Sequence, residues 1–158
     1  MKIMDNLVVR LVLAVFIAFK ALDAFFATAL TITYRVNFVG TAERLGRLTP
    51  GDDYARLIPL MDAVPLWLHG MWVLAGVLYL IAMARVMLGK GWAHIPVLAA
   101  LGIEVVANLV SRPIIKATGV VVNPNPSVIA SVVIPFVLPL LLALVLSRQT
   151  PTPIATSR

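Results

Sequence analysis

The sequence predicts an all-α integral membrane protein, with four transmembrane helices packed as an antiparallel bundle. Three observations carry that expectation. Hydrophobic types make up 61% of the 158 residues and charged types 13%, whereas a soluble domain is about half apolar and about a quarter charged. Four apolar stretches each approach or exceed the roughly 20 residues that cross a bilayer core as helix. Within these stretches the apolar residues run nearly all round the helix, so the outer faces have no need of water. They do not alternate at every second residue, as the strands of a β-barrel do. The mean hydropathy of +0.99 agrees, and residues 1–158 read as a single transmembrane domain.

The first helix is expected over about 7–34. Lys2 and Arg10, then Leu11 to Phe19, then Ala27-Thr28-Ala29 imitate a cleavable signal. Lys20 and Asp23 interrupt that apolar run and the stretch continues to Tyr34, so it reads as a retained membrane helix. A polar loop over 35–63 follows. Thr41 before Ala42-Glu43-Arg44, and Thr49-Pro50 before Gly51-Asp52-Asp53, are helix-start signals. Tyr54, Leu57, Ile58 and Met61 form the apolar side of a short surface helix, with an ordinary capped loop as the alternative.

The second helix is expected over 64–88 and the third over 93–115. The tight Gly89-Lys90-Gly91-Trp92 turn between them makes the pair an antiparallel hairpin. Asn123-Pro124-Asn125-Pro126 breaks the chain before a fourth helix over 128–146. Pro151 and Pro153 mark 150–158 as a disordered tail.

Four spans place both termini on the side of the Gly89–Trp92 turn. Each side carries six basic residues, and acidic residues count for little in orienting a chain. Arg85 and Lys90, close to two helix ends, favour a multi-pass protein with both termini in the cytoplasm. The net charge of +6 arises from basic residues that mostly flank apolar runs. It therefore points to anionic headgroups, and no nucleic-acid partner is expected. The absence of cysteine removes disulfides, thiolate nucleophiles and Cys-ligated metal.

The informative residues are charges within the apolar stretches. Lys20 and Asp23 lie three apart near the middle of the first helix and share a face. Glu104 lies near the middle of the third, with Asn108 one turn later and Ser111 nearby. A charge at the bilayer centre costs about 2.5–3.5 kcal/mol on insertion scales. These groups are therefore expected to turn inward and pair. Lys20 neutralises one carboxylate, so the second needs a proton or a further cation. The cluster reads either as a relay or polar substrate site, or as a clasp between helices or subunits. Tyr79 is placed to donate a hydrogen bond to the central carboxylates. In the fourth helix Pro135 and Pro139 free backbone carbonyls, and Ser131 lies one turn before the first of them. This is a candidate kink site, with a packing bend as the alternative.

His69 and His94 start antiparallel helices, so they approach opposite membrane faces, roughly 25–35 Å apart. One haem cannot bridge them, and interfacial histidines are the expected reading. Trp67 and Trp92 suit an aromatic belt, whereas Trp72 lies deeper, near Gly70 and Gly76.

No phosphate loop, nucleophile elbow, His-Glu-x-x-His or dinucleotide fingerprint is present, so the reading leans away from an enzyme. No metal and no cofactor is expected, and a bound lipid or quinone beside the bent fourth helix is left open. Small size and the small residues Ala14, Ala18, Ala21 and Ala24 on one helix suggest a non-catalytic accessory or scaffold subunit of a larger membrane complex. Its partners are then the lipid bilayer and other membrane subunits or further copies of the chain. The alternative is a small proton- or ion-coupled transporter using Lys20, Asp23 and Glu104.

Overall fold

The computed structural model describes residues 6–37, 40, 62–119 and 135–148. Among these residues the chain is helical and contains no strand. Helix α1 spans Leu7–Val36, α2 Leu66–Met87, α3 His94–Ala117 and α4 Leu138–Ser147. Helix α1 packs on α2, α2 on α3 and α3 on α4. The expected loop helices over 41–61, the tail over 150–158 and the start of the fourth helix over 128–134 lie outside the described residues.

Local chemistry explains the ends. Asn6 caps α1, its side-chain oxygen accepting from the backbone N–H of Val8 at 2.9 Å and of Val9 at 3.4 Å. Pro65 precedes α2 in extended conformation, with its φ of −71° set by the ring. The first helix runs two residues beyond the expected end, to Val36, and the third runs to Ala117. Helix α3 closes at Gly119, whose φ of +70° suits a residue without Cβ. The α2–α3 turn contains Gly89 at φ +63°, and Arg85 locks it by donating from Nε and Nη2 to the Gly91 carbonyl at 3.1 and 2.6 Å. Arg10 reaches the same end of the molecule, donating to the Met87 carbonyl at 3.3 Å.

Two helices, Leu66–Met87 and His94–Ala117, are long and apolar enough to cross a membrane. Helix α1 is longer, with 30 residues, and carries Lys20 and Asp23 in its middle. Helix α4 is a shorter apolar helix of 10 residues. It follows a wider turn at 135–137, where Pro135 and, four residues on, Pro139 supply no N–H for the helical ladder.

The buried positions follow a regular spacing. On α1 they include Ala14, Ile17, Ala21, Ala24, Thr28 and Thr31. On α2 they include Leu68, Ala75, Tyr79, Ala82 and Val86, and on α3, counted from its N-cap Ala93, also Val97, Ala100, Glu104, Ala107 and Ser111. Steps of three and four, or their sum, recur along each helix. This mean of 3.5 keeps one seam turned to a neighbour over many turns. Most seam residues are small, so backbones approach closely and contact area replaces side-chain bulk. The outward faces are large and apolar: Val15, Phe19 and Leu22 on α1, Leu74 on α2, Leu109 on α3 and Leu144 on α4 are all exposed.

Gly76 on α2 leaves room for the Phe25 ring of α1. A Cβ there would lie 2.8 Å from the tip of the Phe25 ring. Gly76→Ala is expected to be absorbed by a swing of that ring. Gly76→Leu has no such escape and should cost about 1–3 kcal/mol by overpacking. Unfolding midpoints in detergent should fall in the order Gly, Ala, Leu; a leucine variant as stable as the parent would refute the close contact.

Candidate functional site: a buried ion pair beside a polar cavity

Lys20 is 2% exposed and Glu104 6% exposed, although both are charged types. Helix α1 presents Lys20 one position off its alanine seam, and α3 presents Glu104 within its own seam. The long lysine stem spans the gap, so that Nζ lies 3.2 Å from Glu104 Oε1. Helix α2 supplies the third member: Tyr79, fully buried, donates its hydroxyl to Glu104 Oε2 at 3.0 Å. The lysine ammonium also lies 5.6 Å from the centre of the Tyr79 ring, within reach of the ring's negative face. Three helices thus meet at one carboxylate, with a cation on one oxygen and a hydroxyl on the other.

Asp23 is placed differently from the inward position expected for it. Its carboxylate lies 3.6 Å from Lys20 Nζ, but its side chain is 63% exposed. At three residues' separation it is rotated about 60° round the helix from Lys20, which carries it to the rim. Asn108 donates to the backbone carbonyl of Glu104 at 2.8 Å, and Ser111 donates to the carbonyl of Asn108 at 3.1 Å. Both polar side chains therefore bond back to their own helix rather than to the carboxylate.

A cavity of about 260 Å³ adjoins the pair and is lined by Lys20, Asp23, Ala24, Trp72, Glu104, Asn108, Pro135 and Phe136. Pro135 thus joins the central cluster and Pro139 is buried, while Ser131 lies outside the described residues. Trp72 and Phe136 give the cavity aromatic walls. From sequence Trp72 is a deep residue whose small neighbours Gly70 and Gly76 admit a packed helix or a cofactor tail, and nothing in the sequence singles out Phe136. Only the helix register brings these two beside the charges.

His69 is also buried, with its ring edge-on to Trp72 at 5.2 Å between centroids. Its backbone carbonyl accepts from the Thr28 hydroxyl at 3.4 Å. Neither ring nitrogen has a hydrogen-bond partner among the described residues. His94 stacks on Trp92 at 5.9 Å beside the α2–α3 turn, at the opposite end from His69. Among the described residues no group of three or more His, Asp or Glu is placed to hold a metal ion.

Fold and site together define a helical protein built round a buried Lys–Glu–Tyr cluster, with, among the described residues, two helices long and apolar enough to cross a membrane. No family model, curated protein or solved structure matches the chain.

Proposed function

We propose that the chain is a small four-span membrane protein that moves protons or small cations through the Lys20–Glu104 site. The observation that carries the proposal is the pairing of a buried ion pair with a cavity of about 260 Å³. A clasp between helices needs the ion pair but not the space beside it. It also has no use for a second carboxylate at the rim. With all three groups ionised, Lys20, Asp23 and Glu104 carry a net negative charge, which favours a cationic occupant. An entering cation can replace the ammonium at Glu104, and Lys20 then has Asp23 as an alternative partner 3.6 Å away. In this exchange neither Glu104 nor Lys20 is left without a counter-charge, as groups buried in low dielectric require.

The membrane setting is supported by the large apolar side chains exposed on all four helices, which water would oppose and acyl chains accommodate. Helix α1, at about 45 Å for 30 residues, exceeds the bilayer core. The accessory-subunit reading drew on the alanines of α1 as a face for a partner. Ala14, Ala21 and Ala24 are instead buried within the chain, and the first two join a core with Ala75, Ala82 and Ala100. The carrier reading is therefore preferred.

In proteoliposomes with an imposed potassium diffusion potential, the protein should dissipate a pH gradient faster than empty vesicles do. Glu104→Gln should lower that rate at least about tenfold, because it removes the carboxylate that takes up the proton, while leaving reconstitution intact. Wild-type flux equal to that of empty vesicles, for protons and for alkali cations alike, would reject the carrier. Stoichiometric co-purification with other chains would then support the accessory role.

A further inference from the structure

The helices are antiparallel, so depth can be read from paired contacts. Arg10 meets Met87 at one end, Lys20 meets Glu104 and Tyr79 in the middle, Thr28 meets His69 further on, and Arg35 meets Val64 at the far end. Along this axis the interior is asymmetric. Between the central cluster and the α2–α3 turn, the buried side chains include Ala14, Ile17, Ala82, Val86, Val97, Ala100 and Leu146, all apolar. The first polar groups in that direction are Arg10 and Arg85 at the turn itself. Ten residues separate Arg10 from Lys20, or about 15 Å of dry packing. Towards the far end, the buried residues include Thr28, Thr31, His69 and Ser111, with half-buried Asn108 between Ser111 and Glu104.

We infer that the structure is the carrier's state open to one side: water and small cations reach the Lys20–Glu104 site from the Arg35–Val64 end, past His69, Thr28, Ser111 and Asn108, while the opposite half is packed dry and opens only for release. The inference rests on the membrane carrier reading above and adds a direction to it. His69 supplies an independent observation. A neutral imidazole has one donor and one acceptor, and both are buried and unpartnered among the described residues. Buried polar groups in that condition call for ordered water. His69 touches Trp72, which lines the central cavity, so water at the imidazole is one aromatic ring from the ion pair. Ser111 and Asn108 continue the polar line on α3. No comparable orphan lies between the cluster and the α2–α3 turn among the described residues; Arg10 Nε and His94 Nδ1 belong to the turn end.

The chain contains no cysteine, so single cysteines can be introduced without background. Thr28→Cys and Ser111→Cys probe the polar half, and Ala82→Cys and Ala100→Cys the dry half. Lys90→Cys and Asp62→Cys, both exposed, mark the two faces. Sealed proteoliposomes are treated with silver ion from one side or the other, and residual thiol is titrated after denaturation. The expected result is reaction at positions 28 and 111 from the Asp62 face, at least about tenfold faster than at 82 or 100 from either face. Equal reaction at 82 or 100 from the Lys90 face overturns the inference, as does silence at both 28 and 111. Proton flux measured on the same vesicles separates the two readings. Labelling confined to one half without flux rejects the carrier but retains the one-sided path, and flux with symmetric labelling does the reverse. Controls at 62 and 90 that react from the same face reject the four-span arrangement and the path together.

Discussion

Lys20→Met should destabilise the protein by about 3–5 kcal/mol, because it leaves the Glu104 carboxylate buried without its cation. Tyr79 still donates to Oε2, but one neutral hydroxyl does not replace an ammonium at 3.2 Å. Asp23 cannot compensate, since it carries the same sign as Glu104. The informative comparison is the double variant Lys20→Met with Glu104→Gln. It replaces a buried pair with groups of similar volume and no charge, a change that is often neutral or stabilising. Unfolding in mixed micelles should therefore show the double variant to be more stable than Lys20→Met alone. Additive losses from the two changes would mean that the two side chains do not interact, and the site would have to be abandoned. Proton flux should remain low in the double variant even as stability recovers. Stability and transport are then separable at the same residues.

Tyr79→Ala is expected to cost about 3–5 kcal/mol, the range for removing a buried aromatic side chain. Among the described residues Tyr79 is the largest of the fully buried side chains, and it sits where α1, α2 and α3 meet. Its loss opens a void in the core it shares with Ala21, Ala75 and Ala100, residues too small to fill it. Tyr79→Phe keeps the ring and removes only the hydroxyl. A hydrogen bond to a charged group is worth about 1.5–3 kcal/mol, so this variant should retain about half of what alanine loses. If Phe and Ala were equally damaging, the hydroxyl would carry the whole effect and the ring's packing none. If Phe were harmless, the contact to Glu104 would contribute nothing. Thermal unfolding of the three proteins in one detergent distinguishes these cases.

The helices were legible because backbone satisfaction and apolar length act locally. Leu7, Leu66 and His94 begin α1, α2 and α3 within two residues of the starts read from apolar runs and breakers. The Gly89–Trp92 turn needed no tertiary information, since its glycines and their spacing permit little else. The central charges were legible for a related reason: a lysine or glutamate inside an apolar run stands out whatever the fold. The seam was not. Nearly every position on α2 is apolar, so hydrophobicity cannot distinguish the inner face from the outer one; residue size does so only in part, since Leu68, Tyr79 and Val86 are buried together with the small residues. Ala75, Gly76 and Ala82 face inward, whereas Leu74, Val77 and Leu80 face outward. Small side chains make close helix contact, and large ones cover the exterior. The same pattern accounts for the alanines of α1, which serve the chain's own core.

Composition and spacing were sufficient to determine that this protein is helical, has an apolar exterior and must shelter a few ionic groups, because each property follows from one segment at a time. Which carboxylate Lys20 takes, where Asp23 lies relative to the rim, how Trp72 and Phe136 enclose the cavity, and why polar side chains collect on one side of the ion pair were decided by tertiary structure. Each depends on the rotation of one helix against another. A single residue's shift in register turns a side chain by about 100°, and no local signal in an almost uniformly apolar helix fixes that angle.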